Sequence, residues 1–372
     1  MRLLVDYRPA LRARTGVGEY IRQLVQAFTA AYRDEVVIFT SSWKDRAAPT
    51  TAADLGVQVI DRRVPVAVLN YLWHRLEWPP IESLAGPVDV VHAAHPLLIP
   101  SHHAAKVVTI HDLFFLDHPD RTRAEIRRDY PRLVRDHARR ADAIITSSEH
   151  TRRRLQERLG VDAARIYCCP PGAPAWTRLG REPNVPDDGY ILFLGTLEPR
   201  KNIGFLLDVF ARVIERTPSP PTLKLAGGAT TDATVWLDRL SHPPLAPHVQ
   251  YLGYTPHEER ERLYAGARAL VLPSLDEGFG LPALEAMSAG VPVIAANRGS
   301  LPEVIATGGT LLDPTDIEGW VSAIERVTSD RRWATAQGCA GLDRAKDFTW
   351  PATATRLHDA YVAAIARRRE RR

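Results

Sequence analysis

Sulfur is scarce in this chain, with three cysteines and two methionines in 372 residues. Cys168 and Cys169 are adjacent and Cys339 stands alone, which excludes a disulfide framework and any familiar zinc spacing; the adjacent pair, in an apolar run, reads as core. The opening MRLLVDYRPALRARTG reaches charge and proline after only a few apolar residues. Neither a signal peptide nor a spanning helix is expected there, and the expected location is cytoplasmic. No D-x-D occurs to hold a divalent metal against a diphosphate. Neither sign of charge dominates: 48 Lys and Arg face 44 Asp and Glu, a net charge of +4. That balance permits an anionic small molecule, an anionic membrane surface or nucleic acid. With no recognition-helix motif and no aromatics interleaved on a basic stripe, nucleic acid is not expected.

What is present is a two-domain α/β pattern. Hydrophobic residues make up 45% and charged residues 25%, ordinary for a globular protein, and the length suits two domains of ~100–200 residues. Short Val, Ile and Leu runs alternate with helical periods, as in Val17, Ile21, Leu24, Val25, Phe28 and Tyr32; this is the signature of doubly wound sheets with ligands at the carboxyl ends of the strands. Seven runs precede the middle: Arg2–Val5, Glu35–Thr40, Val57–Ile60, Val88–His92, Lys106–Ile110, Asp142–Thr146 and Arg165–Cys168. Six follow: Tyr190–Gly195, Thr222–Ala226, Val249–Leu252, Arg268–Pro273, Val291–Ala295 and Gly309–Leu312. The expected division is 1–170 for a first Rossmann-like domain, 171–188 for a Pro- and Gly-rich linker and 189–350 for a second, with a helix over 351–372 whose RRRERR end is expected to fray in solvent.

The segment from Val271 to Gly290, VLPSLDEGFGLPALEAMSAG, carries the most information. A buried strand runs into a glycine loop, Pro282 sits where a first helical turn tolerates it, and Gly290 stands where the helix stops. The loop residues Gly278, Phe279, Gly280 and Leu281 then place unpaired backbone N–H groups at a helix start, which attracts phosphate. Glu277 and Glu285 flank that place, and carboxylates accept hydrogen bonds from sugar hydroxyls. Two surface acids around a βα turn would look the same in isolation. Arg200 and Lys201 follow another strand and open another helix, a position where cations are disfavoured unless an anion is bound, so a diphosphate is the expected partner.

This EGFGLPALE stretch, with its E-x7-E pair, resembles the signature of retaining glycosyltransferase family 4. The likeness runs through Gly16-Val17-Gly18, His111-Asp112, Ser147–Thr151, Gly195–Asn202, Leu225–Gly228, Val249–Tyr254 and Phe348–Pro351. It implies GT-B architecture, two Rossmann-like doubly wound domains with an interdomain cleft, and a nucleotide-sugar donor. It further implies that Glu285 holds the ribose hydroxyls, that Glu277 and His111 meet the transferred sugar, that the Gly16 and Gly18 loop closes over the phosphates and that the last helix returns to the first domain. Some family members have Arg directly after the strand glycine, where this chain has Thr196; Arg200 and Lys201 are then the cationic pair, and metal-independent transfer, with no cofactor, is expected.

GTLEPRKN is similar to the corresponding stretch of polysaccharide mannosyltransferases, so GDP-mannose is the first donor expected, with UDP-glucose and others open. The expected acceptor is a glycan or a lipid-linked glycan, and His92 and His95 are weaker candidates on its side. Eight arginines over Arg121–Arg140, namely 121, 123, 127, 128, 132, 135, 139 and 140, make either a solvated face or a peripheral contact with an anionic membrane at the inner face. A non-catalytic nucleotide-sugar sensor and a sugar-nucleotide epimerase remain as alternatives on the same fold.

Overall fold

Thirteen strands, all paired in parallel, make two sheets among the residues that the computed structural model describes, 1–11, 16–117 and 124–372. The first holds β1 (Arg2–Asp6), β2 (Glu35–Thr40), β3 (Gln58–Asp61), β4 (Val90–Ala93), β5 (Ala105–Thr109), β6 (Ala143–Thr146) and β7 (Ile166–Cys168) in the order β3-β2-β1-β4-β5-β6-β7. The second holds β8 (Tyr190–Leu194), β9 (Leu223–Ala226), β10 (Val249–Gly253), β11 (Ala267–Leu272), β12 (Val293–Ala296) and β13 (Thr310–Leu312) in the order β10-β9-β8-β11-β12-β13. Each apolar run of the sequence is one of these strands, with ends moved by a residue or two.

The runs are nearly continuous in apolar residues because helices cover both faces of each sheet. β1 shows how alternate residues serve two layers. Leu3 and Val5 pack with Tyr20, Ile21, Leu24 and Phe28 of the Gly16–Ala31 helix, whereas Leu4 packs with Val37, Phe39 and Trp73 on the other side. Strand order reverses between β1 and β4 in one sheet and between β8 and β11 in the other. Those are the switch points where a crevice opens at the strand ends.

One unit consists of Met1–Gly172 with Thr349–Arg372, the other of Ala173–Phe348. The Pro-rich segment is fastened to the second unit from Ala173 onward: Trp176 Nε1 donates to Ser288 Oγ at 2.8 Å, and the Asn184 N–H to the Gly290 carbonyl at 2.8 Å. Cys169 is buried and Cys339 exposed.

The Trp350–Glu370 helix starts at a Thr349 cap, whose hydroxyl accepts the Ala352 N–H at 3.3 Å. Its inner face, Leu357, Ala360, Tyr361 and Ala364, is buried with Phe28 and Leu24. The tail differs from the expected fraying. Arg367 donates to the Asp142 and Ala164 carbonyls, Arg371 pairs with Asp142 at 3.0 Å, and Arg368 donates to the His102 carbonyl at 2.9 Å. These cations sit at the helix C-terminus, where the dipole favours them, and satisfy backbone acceptors around β5 and β6. Leu357→Ala is therefore expected to cost about 2–5 kcal/mol in denaturant unfolding, against less than about 0.5 kcal/mol for Val362→Ala on the exposed face. Equal effects would show that the inner face does not carry the docking.

Candidate functional site

In the second unit the loops leaving β8 and β11 lie at the carboxyl ends of neighbouring strands, on the two sides of the switch point. After β8, a turn over Pro199–Lys201 ends at Asn202, whose left-handed backbone (φ 57°) redirects the chain into the Ile203–Arg216 helix. After β11, the loop ends at Gly280, which sits at φ 93°, a conformation that favours glycine, immediately before the Leu281–Ser288 helix. The two loops are tied by backbone: the Leu275 N–H donates to the Arg200 carbonyl at 2.9 Å.

The chemistry gathers on Glu277, which is buried. Its Oε1 accepts from Lys201 Nζ at 2.5 Å and from Ser274 Oγ at 2.8 Å, and its Oε2 from Arg200 Nη1 at 3.2 Å. Burial opposes the carboxylate, but Lys201 and Arg200 outweigh it and hold the Glu277 pKa down at about 2. Arg200 also donates to Glu198 at 2.8 Å and to the Asp276 carbonyl at 3.0 Å.

Glu285, also buried, has a separate set of partners. Arg260 Nη1 reaches its Oε1 at 2.6 Å and the Tyr264 hydroxyl donates to its Oε2 at 2.9 Å. Arg260 and Tyr264 stand four apart on the His257–Ala265 helix and so face the same way. Between the two acids, Phe279 turns its ring into the core, edge-on to Phe348 with centroids 5.7 Å apart. The structure thus groups Arg200, Lys201 and Glu277, puts Glu285 with Arg260, and gives the Phe279 ring to packing.

In the first unit, His111 follows β5. Its carbonyl accepts from Thr151 Oγ1 at 3.0 Å, Tyr20 lies edge-on at 5.2 Å, and its Nε2 is shielded from solvent with no hydrogen-bond partner among the described residues. Burial pushes its pKa down to about 4, so the ring is neutral at pH 7. Gly16 and Gly18 open the first long helix. A Cβ on Gly18 would stand 3.0 Å from the Pro9 carbonyl oxygen, so the glycine permits the turn after β1 to pack on the helix start.

His92 has both ring nitrogens engaged inside the core, with Tyr361 Oη at 2.8 Å and Thr109 Oγ1 at 2.7 Å. It acts as a packing residue. His95 instead reaches Asp6 Oδ2 at 3.1 Å. In the Arg-rich segment, Arg121 and Arg123 lie outside the described residues, as do the side chains of Arg127 and Arg128; Arg132, Arg135 and Arg139 are exposed, and Arg140 pairs with Glu77 at 2.6 Å. Sequence reasoning missed Ser274, Arg260, Tyr264, Asp6 and Arg8. Only the i,i+4 spacing of Arg260 and Tyr264 offered a signal.

Comparison with known proteins bears on this geometry. A model described as Glycosyltransferase Family 4 matches residues 14–175, and one described as Glycosyl transferases group 1 matches residues 178–341. The chain is 30% identical over 382 residues to O-antigen chain mannosyltransferase B of Escherichia coli, covering 97% of this chain and 99% of that one. It superposes on sucrose-phosphate synthase from Thermosynechococcus elongatus with a TM-score of 0.76 at 22% identity, over 98% of this chain and 99% of that one. On Anabaena HepE in complex with UDP and glucose the TM-score is 0.71 at 18% identity, over 96% and 98%. The fold of both units is that of the GT-B glycosyltransferases.

Burial also pushes down three further imidazoles of the first unit, His74 and His92 to about 3 and His137 to about 4. Unfolded imidazoles take up protons near pH 6.5. Between that pH and about 4 the unfolded state therefore binds more protons, so this contribution to stability is complete above about pH 6.5 and falls as pH drops. Glu277, depressed to about 2, loses its contribution only below the unfolded carboxylate pKa. Hydrogen exchange corrected for intrinsic pH dependence is expected to show β4 and β5 losing protection between pH 7 and 4.5 while β11 and β12 keep theirs. Equal loss in the two sheets, or none in the first, contradicts this account.

Proposed function

We propose that this chain, which belongs to glycosyltransferase family 4, is a retaining hexosyltransferase that moves a sugar from a nucleotide-sugar donor to a glycan or lipid-linked acceptor. The observation that carries the reading is the Glu277–Lys201–Arg200 cluster at the β8–β11 switch point. Two cations held at a strand end, beside a helix start, match a leaving diphosphate in charge and position. Arg200 contributes a planar fork and Lys201 a point charge. Metal is not required in this scheme.

GDP-mannose is the donor proposed, supported by likeness to the E. coli mannosyltransferase. UDP-glucose is the alternative, since HepE was seen with UDP and glucose. In the front-face route the bond between the sugar's anomeric carbon and the diphosphate oxygen breaks. The acceptor oxygen then bonds to the same face, and its proton passes to the leaving diphosphate. Glu277 supplies negative charge toward the oxocarbenium-like carbon, the neutral His111 ring offers a hydrogen bond to the transferred sugar, and Glu285 takes the ribose hydroxyls.

Peripheral membrane contact is also proposed. Exposed Val68, Tyr71, Leu76 and Trp78 lie on the segment that Arg140 clamps through Glu77, and exposed Arg132, Arg135 and Arg139 lie on the helix that bears Arg140. Aromatics with basic neighbours suit an anionic interface. No described helix is long and apolar enough to cross a membrane. Co-sedimentation at low salt is expected to recover the protein with anionic vesicles and not with neutral ones; equal recovery counts against the contact.

Steady-state kinetics with varied donor, run in excess chelator, test the catalytic reading. Glu277→Gln is expected to lower kcat roughly tenfold or more, and Glu285→Gln to raise the donor KM with a smaller change in kcat. The assignment fails if Glu277→Gln leaves kcat intact while Glu285→Gln abolishes it in a folded protein. Turnover that requires added magnesium or manganese refutes the metal-free scheme.

A further inference from the structure

Glu285 lies on the Leu281–Ser288 helix that the glycine loop after β11 opens. Its carboxylate is held at both oxygens from one neighbouring helix: Arg260 Nη1 donates to Oε1 at 2.6 Å and the Tyr264 hydroxyl to Oε2 at 2.9 Å. The terminal torsion of a glutamate is broad, so a single donor leaves the carboxylate plane free to rock. One donor on each oxygen removes that freedom. Tyrosine has one hydroxyl hydrogen to give, and the other acceptor within its reach, the Pro282 carbonyl, is uncharged and farther off at 3.3 Å. Burial, with the Glu285 charge beside it, pushes the Tyr264 pKa well above its ordinary value, so the hydroxyl stays protonated and donates.

The helix that bears both donors, His257–Ala265, is itself fastened. The Tyr190 hydroxyl donates to the Leu263 carbonyl at 2.7 Å and Asn184 Nδ2 to the Tyr264 carbonyl at 2.8 Å. Glu261 accepts from Thr177 Oγ1 and from the Arg178 N–H, each at 2.6 Å. Trp176 closes the circuit: its ring lies 5.5 Å from that of Tyr264, its Nε1 donates to Ser288 Oγ at 2.8 Å, and Ser288 Oγ donates to the Glu285 carbonyl at 2.8 Å. Backbone and carboxylate of Glu285 are thus fixed by one connected set of contacts.

Packing does not account for this arrangement. The Arg260 and Glu285 side chains are only 12% and 6% exposed and Tyr264 is fully buried, and apolar side chains of like volume often match or exceed the stability of an ion pair so placed. Holding a carboxylate in one orientation is what recognition of paired hydroxyls requires. The donors on Glu277 are Lys201, Arg200 and Ser274, so changes at Arg260 or Tyr264 leave that cluster's contacts in place.

We propose that Arg260 and Tyr264 are positioning residues for the donor's ribose, acting through Glu285 and setting the preference for a ribonucleotide over its deoxy counterpart. The proposal rests on the reading of Glu285 as the acid that takes the ribose hydroxyls. It is tested by titration calorimetry of the full chain with GDP, UDP and their 2′,3′-dideoxy forms, followed by kinetics with varied donor. Wild type is expected to bind a ribonucleotide roughly tenfold or more tighter than its dideoxy form, the scale of hydrogen bonds to a charged group. Tyr264→Phe keeps the ring beside Trp176, and Arg260→Met keeps the stem. In each, that ratio is expected to fall roughly threefold or more while the dideoxy form binds as it does to wild type, and the donor KM to rise with a smaller change in kcat. Arg260→Lys, which restores the charge without the fork, is expected to recover part of the ratio. Melting temperature checks folding, and if one variant does not fold the others carry the test. A merely structural role weakens both nucleotide forms together; that result in folded variants, or an unchanged ratio, overturns the proposal. A wild type that does not prefer the ribose form overturns it together with the ribose role of Glu285, and failure of GDP and UDP to bind at all overturns the donor reading with it.

Discussion

A carboxylate taken out of water must be matched by charge and hydrogen bonds or it protonates, and the second unit is arranged around that constraint at Glu277. Three donors converge on it from two loops, Lys201 and Arg200 after β8 and Ser274 after β11. They meet only because β8 and β11 are neighbours in the sheet despite their separation in sequence. The backbone follows the same logic. Leu275 donates to the Arg200 carbonyl, Ser300 donates to the Glu277 carbonyl at 3.1 Å, and a Cβ on Gly299 would stand 2.5 Å from the Glu277 nitrogen. Loop shape and cation placement are therefore one feature, and a cation held this way is already oriented when an anionic ligand arrives.

The first unit places polar groups at its strand ends by another route. Its buried imidazoles are kept neutral, and His92 is satisfied by Tyr361 and Thr109, which ties the C-terminal helix to β4 and β5. Of its buried charges, Asp6 and Arg8 are matched within two residues of one another, and Asp142 is matched by Arg371 at the end of the C-terminal helix. The second unit gathers two cations on adjacent residues around one buried acid.

The fold was legible from periodicity because strands covered on both faces must be apolar at nearly every position, and β6 and β11 are. Glu277, Lys201 and Arg200 were legible as candidates because helix starts are poor places for cations and glycine loops are good places for anions. Their pairing with one another was not. Position 277 lies 76 residues from Lys201, and nothing local encodes which cation meets which acid. His92 was misjudged for the same reason, since its partner Tyr361 is 269 residues away. The Asp6–Arg8 pair left no periodic signal because both residues sit where the strand ends. The arginine tail looked like a solvated charge run until the backbone carbonyls it satisfies were in view.

The saturation of each acid separates their roles further. An ionised carboxylate offers roughly four acceptor positions. Among the described residues Glu277 uses three of them, for Lys201, Ser274 and Arg200, and Glu285 uses two, for Arg260 and Tyr264. By that count two acceptor positions are left at Glu285 and one at Glu277. The proposed ribose contact accords with the acid that has two positions left. The acid with one position left, clamped by two cations, is better suited to act through its fixed charge beside a reacting centre. The cations that keep it ionised are also those proposed to receive the departing diphosphate, so charge lost from the sugar bond is collected by groups already held in place for another purpose.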